Sequence, residues 1–450
     1  MQLANTIMCK FLVVLTAALI FTQHTTAQNN SPYSRYGIGD LSNPNNIQSR
    51  GMGSIGIGLQ SDRFSNNANP ASYAALGLVS GKGNGNIINF EVATQFNSNT
   101  LLQKTPLGKY NTKNLVYNYM QLGLQAGKKG NWGFNIALLP IARENYKIRD
   151  DRRLSNIDSL ATIYDGNGGA YKALIGTGYR HNNFSFGLNT GLLFGKKSTT
   201  TNLAFINDTA TYYESSSNSR TNFYNLFCHT GVQYNHKISK TKNIIFGATY
   251  QLQNKLIARQ DIERFVYDND NPNANTPGAP AGIDTVLAKY GTKGTIVLPS
   301  TIGIGVTYNQ LDKLIVGLDL ETTSWNNYRF YDQQDQVKSN YTIKAGLQYI
   351  PARLSKNYWS GVSYRFGANY GTDYVTAAGS TIPVYNLSFG LGLPVPSNAR
   401  IDKSLVQPVI NLAVEAGKRG NNTINVSENF VRIAASVSLA DFWFFRRKFD

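Results

Sequence analysis

The sequence predicts an all-β fold: a 14-stranded antiparallel transmembrane β-barrel with an N-terminal luminal plug. Three observations predict it. The chain opens on an export signal, it has no later apolar run long enough to cross a membrane as a helix, and from about residue 86 it alternates apolar with small or polar residues to its end. A chain that spans lipid without apolar helices must close a sheet on itself, because every backbone N–H and C=O in hydrocarbon needs a partner.

The export signal occupies residues 1–27. Lys10 precedes the apolar run Phe11-Leu-Val-Val-Leu-Thr-Ala-Ala-Leu-Ile-Phe21, and Thr25-Thr26-Ala27 supplies the small-residue exit of a secretory signal peptide. The run is too short for a transmembrane helix, which needs about 20 residues. Cleavage removes one of the 43 basic residues and no acidic one, so the net charge changes from +17 to +16. Such a basic balance suits nucleic acid in a cytoplasmic protein, but export excludes that partner. The anionic outer leaflet, with its lipopolysaccharide, is the expected one, and Arg143, Lys147, Arg149, Arg152 and Arg153 cluster near one expected loop. With Cys9 removed, Cys228 is the single cysteine, so no intramolecular disulfide can form.

Residues 28–85 are expected to be the plug, or hatch, because they are rich in Gly, Asn and Ser and hold no sustained period. Residues 86–450 are expected to be the barrel. In Tyr385-Asn-Leu-Ser-Phe-Gly-Leu-Gly-Leu393 every odd position is large and apolar and every even one is Asn, Ser or Gly. Val431–Leu439, Thr301–Tyr308 and Phe184–Asn189 repeat the scheme. Side chains alternate across a strand, so each such segment has a lipid face and a lumen face.

Fourteen strands follow: 86–98, 113–127, 131–148, 160–180, 183–205, 217–236, 242–259, 293–309, 312–327, 337–350, 357–370, 384–396, 404–418 and 427–442. Long connections alternate with short ones such as Gly127–Asn131 and Arg180–Asn183, which places both termini in the periplasm. The segment 260–292 reads as a long outer loop around the low-complexity run Asp268–Pro280, and Phe442-Trp-Phe-Phe445 ends the last strand in an aromatic belt.

Three segments resemble the FadL-like outer-membrane transporters of hydrophobic compounds. Arg50-Gly-Met-Gly-Ser-Ile-Gly-Ile-Gly58, followed by Asn66-Asn-Ala-Asn-Pro-Ala-Ser-Tyr73, is similar to that family's N-terminal hatch. Trp132–Ile141 is similar to its inwardly kinked third strand, and Glu415–Gly420 with Glu428–Phe430 and Trp443–Lys448 to the ending of uncharacterised relatives. The resemblance implies passive uptake of small hydrophobic molecules, such as fatty acids or hydrocarbons, with lateral release into the bilayer. The same family includes barrels that serve as non-transport subunits of secretion or assembly complexes, with outer-membrane proteins as partners.

In this reading Arg50, Gly51, Met52, Gly53, Gly56, Gly58, Asn69, Pro70 and Ala71 form the hatch, whose glycines allow close backbone packing and whose Asn69-Pro70 sets a rigid turn. Pro140 marks a lateral opening, since proline removes a ladder hydrogen bond, and Gly166, Gly168 and Gly169 interrupt the next strand and let the wall bend beside it. A bulge with no transport role is the plain alternative. Tyr33 and Tyr36 would stack on ligand or simply pack. Of the charges expected to face the lumen, Glu91, Asp319, Glu321, Glu415 and Arg432, most would pair hatch with wall. No enzyme, cofactor or metal is expected. His181 and His236 fall in short turns, while His229 faces the lumen without a nucleophile elbow, which leaves a barrel hydrolase with no machinery. Cys228 falls on the lipid face. Asp158-Ser-Leu160, Asp208-Thr-Ala210 and Asp284-Thr-Val286 resemble a short O-glycosylation motif at or near outer loops.

Overall fold

The computed structural model describes residues 31–76, 86–126, 131–153, 159–206, 213–267, 282–310, 313–352, 357–377, 379–395, 407–421 and 424–443. The export signal, Phe444, Phe445, Asp158 and the motif at 208–210 lie outside them. No helix among the described residues is long and apolar enough to cross a membrane, which says nothing of spanning by strands.

Alternation and closure build the wall. After the short β1 (Asp40–Leu41) come β2 (Asn86–Gln103), β3 (Gly108–Ala126), β4 (Trp132–Arg153), β5 (Ser159–His181), β6 (Phe184–Ile206) and β7 (Glu214–Lys237). They are followed by β8 (Lys242–Gln251), β9 (Asn254–Tyr267), β10 (Gly282–Leu298), β11 (Thr301–Gln310), β12 (Leu314–Thr323), β13 (Arg329–Phe330), β14 (Asn340–Tyr349), β15 (Ser363–Ala377), β16 (Ser380–Pro394), β17 (Val409–Arg419) and β18 (Val426–Trp443). The segments β8 and β9 form one wall strand broken in the middle, as do β10 and β11, so the wall has fourteen strands. Each strand pairs antiparallel with its neighbour, and β18 returns to β2 to close the barrel.

The register carries the lipid face around the wall. Phe96, Ile433, Val414, Phe389, Phe366, Leu347, Val316 and Tyr308 are successive cross-strand partners. Phe96, Ile433, Val414, Phe389, Phe366 and Val316 are exposed. Shift the register by one residue and the row becomes Gln95, Ala434, Ala413, Gly390, Arg365 and Gln348, all buried. Near the short-turn rim, Trp132 stacks on Phe134 and lies tilted against Tyr179, and Phe184 lies beside Phe186 and Tyr234, in keeping with an interfacial aromatic belt. Ile433→Arg is expected to cost about 2–4 kcal/mol if it lies near the bilayer midplane. The check is the yield of folded, heat-modifiable protein on refolding into vesicles, with Asn111→Arg, at the other rim, expected to be neutral.

The strands run further than alternation suggested. Most of the expected loop 260–292 is strand, because β9 and β10 pair from Asn254↔Leu298 to Tyr267↔Gly282, leaving 268–281 outside the described residues. The connection 99–112 shrinks likewise, since β2 and β3 pair as far as Gln103↔Gly108. Asp284-Thr-Val286 therefore sits in a strand. The physical reason is solvent: beyond the hydrocarbon neither face needs to be apolar, so period 2 fades while pairing continues.

Candidate functional site

Residues 31–76 fill the lumen. A short helix (Ile47–Arg50) is capped by Asn46, whose side chain accepts from Ser49 N. A 3-10 turn (Pro70–Ala75) is capped by Asn69, whose Oδ1 accepts from Ala71 N at 3.0 Å. Asn69 Nδ2 also donates to the carbonyls of Ile57 (2.8 Å) and Val232 (3.2 Å), so one side chain joins the turn, the Gly-rich run and the wall. Of the hatch residues, Arg50, Met52, Asn69 and Ala71 are completely buried.

Two buried carboxylates, four strands apart around the wall, hold this segment. Arg50 grips Glu415 of β17 through both oxygens, Nε to Oε1 at 2.8 Å and Nη2 to Oε2 at 2.9 Å, and its Nη1 donates to Gln95 of β2. Further around the wall, Asp319 of β12 accepts the backbone N–H groups of Gly56 (2.6 Å) and Ile57 (2.8 Å). The two other lumen carboxylates in the sequence reading have partners on the wall instead. Glu91 accepts from Tyr119, Gln121 and Ser436, and Glu321 pairs with Lys344 at 3.3 Å. Arg432 lies 3.9 Å from Glu415 and over the Phe430 ring. Asp319→Asn is expected to loosen residues 55–58 by about 1.5–3 kcal/mol, since a charged acceptor for two N–H groups becomes a neutral one. Amide exchange of Gly56 and Ile57 would report it.

Sequence reasoning found the hatch glycines and missed their counterparts on the wall. At several points where the hatch backbone packs against the barrel, the inward residue is glycine. A Cβ on Gly133 would stand 1.8 Å from the Tyr73 carbonyl oxygen, on Gly367 1.9 Å from Gly53 N, on Gly247 2.1 Å from the Ile57 carbonyl oxygen, and on Gly187 2.2 Å from Ala71 N. The signal was the glycines at lumen-facing positions within otherwise regular strands, which alternation alone assigns simply to the lumen face.

The wall separates next to Pro140. The strands β3 and β4 pair only from Ala126↔Trp132 to Met120↔Leu138, whereas both continue toward the long-strand rim. Pro140 sits at a bulge in the β4–β5 register, between Pro140↔Tyr171 and Ala142↔Ala170. The opening is bridged at its base, where Tyr117 Oη donates to the Leu138 carbonyl and Arg143 Nη2 to the Tyr117 carbonyl, each at 2.6 Å. The luminal segment then covers the β4 edge: β1 pairs Asp40↔Arg143 and Leu41↔Ala142, Ser42 N donates to the Ile141 carbonyl and Ser31 N to that of Asn145. The glycines at 166, 168 and 169 do not interrupt β5, which pairs without a break along β6. Their role is steric. A Cβ on Gly166 would stand 2.1 Å from the Tyr146 ring.

Tyr33 and Tyr36 tie the start of the hatch to the wall. Tyr33 is buried, its hydroxyl donates to the Val426 carbonyl, and the Arg419 guanidinium lies 4.2 Å above its ring. Burial pushes the Tyr33 phenol up to about 12, against the opposing pull of Arg419, so it stays a neutral donor. Arg419 gathers Asp40, Asp373 and Glu428 around it. The Tyr36 carbonyl accepts from Tyr374. Neither tyrosine lines the cavity at the long-strand mouth, which is bordered by Asn97, Arg143, Lys172, Glu321, Asn386 and Glu428 among others. His229 faces Asn189 and Gln251 in the register, and neither is a carboxylate that could orient an imidazole.

A family model described as BamG matches residues 8–450. No curated protein sequence matches the chain. Among solved structures, a Pseudomonas aeruginosa FadL homologue superposes with a TM-score of 0.56 at 13% identity, covering 91% of this chain and 100% of that one. The P. putida toluene transporter TodX superposes with a TM-score of 0.53 at 13% identity, again covering 91% and 100%. At such identities the likeness is one of fold, a hatch-filled FadL-like outer-membrane barrel.

Proposed function

The chain belongs to the BamG family, and from that premise we propose that it is a non-transport barrel subunit of an outer-membrane secretion or assembly complex, with outer-membrane proteins as partners. The observation that carries this reading is the polarity of the mouth. A site for small apolar ligands is lined mainly by hydrophobic side chains with a few polar groups. This cavity has apolar patches at Leu193, Leu298, Trp325 and Phe430, but asparagines, threonines and charged residues make up most of its border. An apolar solute entering it would strip water from those groups and give no hydrogen bond back. The hatch is held to the wall by the bidentate Arg50–Glu415 pair and packs closely on wall glycines.

A second reading, passive uptake of small hydrophobic molecules with lateral release, is favoured by one feature: β3–β4 pairing stops at Met120↔Leu138 beside Pro140. It shares its fold with the P. putida toluene transporter TodX. The bridges at Tyr117 and Arg143 oppose it.

Two measurements separate the readings. Native purification in mild detergent is expected to return the chain with partner proteins in fixed stoichiometry. Recovery of the chain alone with an apolar molecule bound would favour uptake. In proteoliposomes, flux of an apolar dye is expected to equal that of protein-free vesicles for both the wild type and Tyr117→Phe/Arg143→Ala. A rise in the double variant would mean that removing the bridges opens a working lateral route.

A further inference from the structure

The wall separation leaves a strand edge that nothing in the described chain pairs. Along β3, β2 covers one side from Gly108 to Leu124, whereas β4 covers the other side only from Met120 onward. The luminal segment attaches to the β4 side of the separation and makes no strand pairing with β3. The Tyr117 carbonyl points into the separation, where Arg143 reaches it. Strand alternation turns the backbone N–H and C=O groups of Leu115, Lys113, Asn111 and Lys109 the same way. These four residues are exposed, and among the described residues their edge groups have no backbone partner. An unpaired edge of this length is a template for another strand, and soluble proteins take pains to blunt one.

The electrostatics select the occupant. Between Glu91 and Glu144 the sequence contains no acidic residue. The outward side chains along the edge include Lys109 and Lys113, and Arg143 and Lys147 stand on the β4 side. Neither Lys109 nor Lys113 has a carboxylate partner among the described residues. A second copy of this chain would bring the same cations to the same edge, which disfavours self-pairing along β3.

We propose that the β3 edge from Lys109 to Tyr117 is a strand-addition site for an extended, acidic segment of a partner protein. The inference rests on the complex-subunit reading and names the chemistry of one partner contact. Main-chain hydrogen bonds would give affinity, and the lysines would set strand sign and register.

The test uses the full chain in detergent and a defined probe, a fluorescent nonapeptide of alternating Val and Glu, read by anisotropy. Binding is expected, with at least a tenfold loss when alternate peptide nitrogens are methylated, which removes edge hydrogen bonds and leaves charge intact. Lys109→Glu/Lys113→Glu is expected to lose the acidic peptide and gain the Val/Lys counterpart, while keeping the folded band on gels. Leu115→Pro, which deletes one edge N–H, should weaken both. Binding indifferent to methylation, or full competition by vesicles of anionic lipid, overturns the proposal in favour of a charge-only or lipid surface. A dimer of the wild type that Leu115→Pro abolishes overturns it in favour of a second copy. Partners retained on native purification of the charge-reversed variant would refute this edge and leave the subunit reading standing. A wild type that purifies without partners refutes the subunit reading whatever the peptide does.

Discussion

Arg50→Met is expected to destabilise the seated hatch by about 3–5 kcal/mol while the barrel stays closed. The guanidinium is completely buried and spends three donors on two wall strands, Glu415 of β17 and Gln95 of β2. Its removal leaves the Glu415 carboxylate beneath the hatch with only Arg432 nearby, at 3.9 Å. A buried charge without its partner costs far more than the pair contributes, because desolvation is no longer offset. The wall should survive, since its ladder from β16 through β18 to β2 does not pass through Arg50. The measurement is amide exchange and limited proteolysis across residues 47–58 in refolded protein, set beside the heat-modifiable band that reports the wall. Arg50→Met/Glu415→Met should recover much of the loss, because an apolar pair of similar volume leaves no charge stranded. If the double variant is as loose as the single, the pair's hydrogen-bond geometry rather than the stranded charge governs seating.

The same residues show what was legible in the sequence. Period 2 is a property of the chain alone, and Tyr385–Leu393 carries its lipid and lumen faces in plain alternation, so the wall and its fourteen strands could be read directly. Glu415 and Asp319 could be marked as lumen groups by parity and Arg50 as a hatch residue, yet their pairings join residues hundreds of positions apart. Nothing local in the sequence distinguishes Asp319, which receives the hatch backbone, from Glu321, which pairs with a neighbouring strand. The ends of the strands were hidden for a different reason. Beyond the hydrocarbon neither face of β9 or β10 has to be apolar, so the strict alternation that defines a strand in lipid fades where the pairing persists. The glycines at 166, 168 and 169 invited a bend from sequence, and in space they receive a tyrosine ring and neighbouring backbone instead.

Gly133→Val and Gly367→Val are expected to unseat different halves of the hatch, and the pair of results decides whether the plug is one body. At Gly133 the added carbons would enter the space held by the Tyr73 carbonyl, and at Gly367 that held by the Gly53 amide. Backbone atoms cannot rotate aside as a side chain can, so the overpacking must be relieved by moving the hatch, at about 1–3 kcal/mol or more per site. Neither substitution alters the lipid face, because both glycines point inward. If Asn69, which joins the Pro70 turn to the Ile57 carbonyl and the wall, couples the halves rigidly, each variant should raise exchange at 51–58 and 69–76 alike. If the halves seat separately, Gly133→Val should release only 69–76 and Gly367→Val only 51–58, and Asn69→Ala should change neither pattern. The rigid outcome is the expected one. A single buried polar side chain with three hydrogen bonds spans the junction, and pulling either half away would leave part of its amide without a partner.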